Sequence, residues 1–197
     1  MAGLWKIIRP RRAEKILVQY DPWIDEVAGK YAIPPELIRA ILFKEMTGTD
    51  IMDLAADLAV RTGLFRKKDS STGYGQIFGY VGLNAVNFAV DRGLTDYKTL
   101  GLPEGRRLDP RKIADVRTVW RLLNRDPRAN IEISALNLLC AAEEMTGRID
   151  FANYTSEETK LILTRYNANI KHVSPYGEEV YALAMKYRKN GERKDNK

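Results

Sequence analysis

Apolar residues recur at helical spacing along most of this chain, and this period constrains the fold more than any other feature. One complete apolar stripe is formed by Leu37, Ile38, Ile41 and Leu42. Such periods leave little room for a large sheet, and 197 residues allow one domain with a sizeable core. We predict a mainly α fold with at most a short hairpin or irregular lobe near residues 70–78. The predicted helices cover about 22–31, 34–47, 50–64, 79–92, 110–124, 127–146, 156–168 and 176–189.

The chain is basic, with a net charge of +6 and a pI near 9.3. Much of the excess lies at the two ends, which predicts a basic segment over 1–20, a helical domain over 21–189 and a disordered basic tail over 190–197. The charge predicts attraction to polyanions, which include bacterial cell wall as well as nucleic acid. The sequence shows neither a signal peptide nor a run long enough to span a membrane.

Glu45 lies near the end of a predicted helix, on the inward edge of its apolar stripe. The sequence Ile33-Pro34-Pro35-Glu36 begins this helix, and Gly48 follows its end. Glu45 comes four residues after Ile41 and three after Leu42, where an aliphatic residue is expected. Desolvation and the negative end of the helix dipole both disfavour a carboxylate, so we expect a raised pKa, which suits a general acid. The alternative is a solvated residue at a fraying helix end.

Two further segments contain residue types that are typical of a ligand cleft. In the stretch 70–78, glycines and small residues precede Gln76, as is needed where backbone passes close to a ligand. Further along, an apolar helix ends in Tyr166, Asn167 and Asn169. The alternatives are an ordinary turn and a core tyrosine beside a helix cap.

Taken in order, these segments resemble the lysozyme-like lytic transglycosylases, the group of the soluble lytic transglycosylase and goose-type lysozyme. Residues 31–45 resemble the family segment that ends in its single catalytic glutamate. Gly73-Tyr74-Gly75-Gln76-Ile77 is similar to the Gly-Leu-Met-Gln-Ile groove motif, and Tyr166-Asn167-Ala168-Asn169 is similar to Tyr-Asn-Ala-Gly. Residues 126–139 resemble the family helix that precedes the last motif. The resemblance spans about 22–187.

The resemblance implies a lysozyme-like catalytic domain that cleaves the β-1,4 bond between N-acetylmuramic acid and N-acetylglucosamine in peptidoglycan. Glu45 would act first as general acid and then as base, which gives 1,6-anhydromuramoyl ends without a metal or cofactor. Tyr166 would orient Glu45, and Asn167 would hold the acetamido group or brace the Glu45 helix. The remaining residues would line the groove and bind sugar, and they are Gly73, Tyr74, Gly75 and Gln76.

Three features depart from the family pattern. Met46 stands where the family usually has Ser, and Asn169 stands where it has Gly, in a position that we expect to be left-handed. The separation between Glu45 and Gln76 is long because the predicted helix 50–64 is inserted between them. This insertion would reshape one end of the groove.

Three other functions stay open on the sequence alone. A hydrolytic muramidase would use a second acid to position water, and Asp50 and Asp69 are the candidates. A helical module without catalysis would bind nucleic acid through a basic patch around Arg61 and residues 66–68. A degenerate lysozyme fold would bind glycan without cutting it.

The remaining reactive side chains predict no metal site or triad. Cys140 lies among apolar residues and is predicted to fill the core, and His172 is the only histidine. The expected partner is peptidoglycan, in the periplasm or the extracellular cell wall, with no specific nucleic acid. Because no signal peptide is seen, we expect this chain to be a phage enzyme, a secreted effector, a toxin domain or a piece of a longer exported protein. Its further partners would then be a delivery machinery and an inhibitor or immunity protein.

Overall fold

A computed structural model describes residues 8–48 and 70–195, with side chains as far as 191. Within these residues the chain is mainly helical, as predicted, and the one small sheet lies in the predicted stretch. The elements are α1 Pro10–Tyr31, α2 Pro35–Gly48, β1 Ser71–Thr72, β2 Ile77–Phe78, α3 Gly79–Asp91, α4 Ile113–Arg125, α5 Pro127–Thr146, a 3-10 turn Phe151–Asn153, α6 Ser156–Asn167 and α7 Pro175–Asp195. No helix in the described part of the chain has the length and apolar character needed to cross a bilayer.

Helix α5 is the centre of the fold, and α1, α2, α3, α4 and α6 all pack against it. A helix surrounded in this way must be apolar on most sides, and its largest buried side chains are Ile131, Ile133, Leu136 and Leu138. Local signals set its ends. The side chain of Asp126 accepts hydrogen bonds from two backbone N–H groups of the first turn, and Gly147 ends the helix with a left-handed φ of 72°.

Helix α1 begins twelve residues earlier than predicted, at Pro10 and not at residue 22. The predicted start is wrong, because Pro22 lies inside the helix and does not begin it. Ala13 and Leu17 are buried four residues apart before the proline, and Ile24 and Val27 are buried three residues apart after it. Both spacings fit one helical period, so one apolar stripe continues past the proline. Burial of this stripe outweighs the hydrogen bond that Pro22 removes.

Helix α7 continues to Asp195, so the predicted disordered tail is wrong for residues 190–195. Lysine, arginine and glutamate dominate this end of the chain, and all three are good helix formers that extend a helix already held by packing. The predicted helix 50–64 and the basic patch at Arg61 and 66–68 lie outside the described residues.

The two strands form a hairpin with Ser71 opposite Phe78 and Thr72 opposite Ile77. Gly73 begins the turn with φ +73°, and Gln76 closes it with φ +43°. The hairpin lies between α2 and α3 in the chain, and the start of α3 follows β2 directly. The hairpin therefore fixes where the first turn of α3 begins.

Candidate active site

A cleft of about 790 Å³ lies between the end of α2, the hairpin, α3, α5 and the segment that joins α6 to α7. Four of the predicted site residues line this cleft, although they come from three separate parts of the sequence. They are Glu45, Gln76, Tyr166 and Asn167. The fold thus brings the three segments singled out in the sequence to one surface.

Glu45 is half-buried near the end of α2, and the hydroxyl of Tyr176 donates a hydrogen bond to its Oε1. The pKa of Tyr176 is raised well above its ordinary value, first by burial and then by the negative charge of Glu45. Tyr176 therefore keeps its proton at neutral pH and stays a donor to the carboxylate. Sequence reasoning missed this residue.

Gly177 explains how Tyr176 reaches Glu45 from the first turn of α7. A Cβ atom on Gly177 would lie 2.4 Å from the carbonyl oxygen of Lys160 and 2.2 Å from Oγ1 of Thr164, both on α6. Only glycine allows α7 to approach α6 this closely at its start. In the sequence, a glycine directly after a tyrosine at a helix start indicates close packing at that point. It does not indicate that Tyr176 contacts Glu45.

Tyr166 is buried, and its hydroxyl donates a hydrogen bond of 3.1 Å to the carbonyl oxygen of Gly75. Its pKa is raised, first by burial and then by the negative charge of nearby Glu45. Tyr166 thus joins α6 to the hairpin beside Glu45. Its predicted role in orienting Glu45 stays a prediction.

The hairpin glycines face α5 and not the cleft. A Cβ on Gly75 would lie 2.1 Å from Oγ of Ser134, and a Cβ on Gly73 would lie 2.0 Å from Nδ2 of Asn130. Asn130 is fully buried, and its Oδ1 accepts a hydrogen bond of 2.8 Å from the backbone N–H of Gly75. These glycines are therefore required by close packing within the protein.

Gln76 is fixed within the hairpin while it lines the cleft. Its Nε2 donates to the carbonyl oxygen of Gly73 at 2.8 Å, and its Oε1 accepts from Oγ of Ser71 at 3.2 Å. The backbone of Gln76 is left-handed, a conformation that costs a non-glycine residue about 1–2 kcal/mol of conformational free energy. Strain of this kind persists where the surroundings hold it in place, and it is frequent at functional sites.

Tyr74 packs against α1 and supports the hairpin from outside the cleft. Its hydroxyl accepts a hydrogen bond of 3.2 Å from Tyr20, and the two rings meet edge to face with centroids 5.3 Å apart. Tyr20 in turn stacks on Trp23 at 5.0 Å. Burial raises the pKa of Tyr74. Tyr74 was predicted to bind sugar, but the contacts described here are with α1 and lend that prediction no support.

Asn167 and Asn169, which follow Tyr166, are exposed, and both line the cleft. The left-handed backbone predicted for Asn169 is wrong, because among the described non-glycine residues only Ala32 and Gln76 have positive φ. Helix α6 ends instead through Ala168, whose extended φ of −152° turns the chain away from the helix axis. Asn169 therefore needs no special conformation.

Cys140 lines the cleft, so its prediction as a core residue is wrong. It lies on the side of α5 that faces the cleft, a position that its apolar neighbours in the sequence do not reveal. Burial and then Glu144, whose Oε1 is 3.7 Å from the Sγ, raise the pKa of this thiol to about 11. Cys140 is therefore a neutral thiol at neutral pH.

The second carboxylate that lines the cleft within the described residues is Glu144, and it forms an ion pair of 2.5 Å with Arg165. Asp50 and Asp69, the predicted candidates for this role, lie outside the described residues. Across 8–48 and 70–195, no group of histidine, cysteine and acidic side chains could hold a metal ion. His172 is exposed.

Comparison of the chain with models of known protein families, with curated proteins and with solved structures gave no match. Function is therefore inferred from the residues and from the geometry of the cleft.

Proposed function

We propose that this chain is a peptidoglycan lytic transglycosylase with a lysozyme-like fold, acting on the bond between N-acetylmuramic acid and N-acetylglucosamine. The observation that carries the proposal is the half-buried Glu45, held by Tyr176 in the same cleft as Gln76 and Tyr166. A carboxyl in such a place can give a proton to a bound substrate and take one back.

Glu45 would protonate the glycosidic oxygen while the bond from that oxygen to C1 of the muramic acid breaks. The acetamido group of the same sugar stabilises the positive charge at C1. The C6 hydroxyl then attacks C1, and its proton passes to the Glu45 carboxylate, which restores the acid. The product is a 1,6-anhydro ring, and no water is consumed.

The lining of the cleft suits a sugar chain. Its walls combine apolar side chains with amides on three helices, namely Asn84, Asn137 and Asn167. Amides donate and accept hydrogen bonds, as the hydroxyl and acetamido groups of a glycan require. A cleft of about 790 Å³ lies in the size range of ligand sites, which is roughly 300–1,000 Å³.

The product of the reaction separates this proposal from its nearest rival, a hydrolytic muramidase. We expect mass spectrometry of fragments released from purified peptidoglycan to show anhydromuramoyl ends. Reducing muramic ends that depend on Glu45 would contradict transglycosylation and would direct attention to Asp50 and Asp69. The absence of fragments at any enzyme concentration would contradict both enzymatic functions and favour a binding role.

Replacing Tyr176 with Phe should lower activity by roughly 10-fold, because a charge-assisted hydrogen bond of about 1.5–3 kcal/mol to the carboxylate is lost. The hydroxyl favours the carboxylate form, so its loss should also move the alkaline limb of the pH–rate profile to higher pH. A profile of initial rates from pH 4 to 9 would measure both effects.

Tyr181→Phe is the matched control, because Tyr181 lies on the same helix and its hydroxyl bonds to Ser156 at 2.7 Å. This variant should keep the parent rate and profile. A Tyr176→Phe enzyme with an unshifted profile would show that Tyr176 does not act through Glu45.

The substrate implies that the protein acts in the periplasm or the extracellular cell wall, which we propose as its location. Expression behind an added export signal should lyse bacteria, whereas the Glu45→Gln form behind the same signal should not. Absence of lysis by the exported parent would contradict this location.

A further inference from the structure

Two aromatic side chains lie exposed and side by side at the edge of the cleft. Phe78 is 42% exposed and Tyr80 is 48% exposed, and both line the cleft. Among the described residues, the other exposed large apolar side chains are Val18 and Ile113. The exposed aromatic surface of this part of the chain is thus concentrated at one place on the candidate site.

The fold holds both rings on rigid elements. Phe78 ends β2 and is the N-cap of α3, and Tyr80 is in the first turn of that helix. Ile77 and Gly79, the neighbours of Phe78, are buried, which anchors the backbone on both sides. The ring centroids are 5.9 Å apart and the ring planes are inclined by 47°. The pair presents two differently angled faces, so it is not one flat surface.

Exposed rings at the mouth of a cleft are typical of ligand contact, since aromatic surface contributes binding free energy when a ligand covers it. Asn84 lies one helical turn after Tyr80, and it is exposed and also lines the cleft. Aromatic faces next to an exposed amide match a pyranose ring, which has apolar C–H faces and polar groups around its edge. An apolar partner would leave the amide without a hydrogen-bonding partner.

We propose that Phe78 and Tyr80 form a sugar-stacking subsite at the α3 end of the cleft, which binds a pyranose ring of a β-1,4-linked N-acetylated glycan strand. This inference rests on the proposed function. It adds a second place in the same cleft, besides Glu45, where the strand is bound. In this arrangement Glu45 acts on one bond while the aromatic pair sets the direction and the minimum length of the bound strand.

The test uses glycan strands freed of their peptides by an amidase and the full chain carrying Glu45→Gln, which binds without cutting. Phe78→Leu and Tyr80→Leu keep apolar volume but remove the flat ring face. Each should weaken binding by roughly 5- to 20-fold, as expected for losing part of the burial of one aromatic side chain. Tyr80→Phe keeps the ring and should bind within about 2-fold of the parent, since the ring face carries the contact. Calorimetry measures all of these affinities.

Ile113→Ala and Val18→Ala are the matched controls, because these side chains are 40% and 67% exposed. Neither change should alter the affinity. The subsite is overturned if both leucine variants bind as tightly as the parent, or if Tyr80→Phe weakens binding as much as Tyr80→Leu. If the parent binds no glycan and the unmutated chain releases no fragments, the proposed function fails. Cleavage by the unmutated chain with unchanged leucine variants overturns the subsite alone.

Discussion

Glu45→Gln should lower the release of soluble fragments from peptidoglycan by roughly 10³-fold, within the range that general acid–base catalysis contributes. Glutamine has nearly the shape of glutamate but has no proton to give at neutral pH. Its carbonyl oxygen can still accept the hydrogen bond from Tyr176, so the cleft should keep its geometry. The measurement is the initial rate of fragment release, together with circular dichroism to show that the variant is folded.

Glu36→Gln is the control for this experiment, because Glu36 lies in the first turn of the same helix. It is nine residues before Glu45, or about 14 Å along the axis at about 1.5 Å per residue. This change should leave the rate within about 2-fold, because Glu36 is not among the residues that line the cleft. Full activity in Glu45→Gln would exclude Glu45 as the acid and would overturn the proposed function.

Gly73→Ala should destabilise the fold by about 2–4 kcal/mol, which combines left-handed strain with overpacking. Gly73 has φ +73°, and a Cβ there would lie 2.7 Å from the carbonyl oxygen of Leu123. That oxygen belongs to the backbone of α4 and cannot rotate away. Asn130, at 2.0 Å, could move only by losing the hydrogen bond it accepts from the N–H of Gly75. Urea denaturation would measure the change in free energy of unfolding.

Gly101→Ala separates the two causes of this loss. Gly101 has φ +69°, close to that of Gly73, but a Cβ there would meet nothing within 4 Å. The Gly101→Ala change should therefore lower the free energy of unfolding by only about 1–2 kcal/mol, the cost of left-handed backbone strain. Equal losses at the two glycines would mean that the hairpin is not packed against α4 and α5 as described. The hairpin carries Gln76, so Gly73→Ala should also lower activity at temperatures where the variant remains folded.

Features with local causes could be predicted from the sequence. Helix α5 was predicted over 127–146 and spans Pro127–Thr146, because the cap at Asp126, the proline after it and Gly147 at the other end are all adjacent in sequence. The hairpin was predicted within 70–78 for the same reason, since its glycines lie between two helical periods. Helix α1 shows the limit of local signals, because its start is predicted near residue 22, whereas the helix begins at Pro10 and contains Pro22.

Residue types in three segments, together with their resemblance to the lytic transglycosylases, single out Glu45, Gln76, Tyr166 and Asn167 as one candidate site. Their location around one cleft, and the roles of their neighbours, depended on contacts between distant segments. Tyr176 is 131 positions from Glu45, and only the packing of α7 against α2 brings its hydroxyl to the carboxylate. Cys140 faces the cleft because of the direction in which α5 presents it.

The sequence by itself determined the helical class, the bounds of the helix over 127–146, the place of the hairpin and the chemical identity of the candidate acid. These depend on interactions within a few turns, which residue type and spacing encode directly. The tertiary structure decided which side chain holds Glu45, why Gly73 and Gly75 must be glycine, and where the aromatic pair lies. Those facts depend on long-range packing, in which a side chain's surroundings come from residues that are far away along the chain.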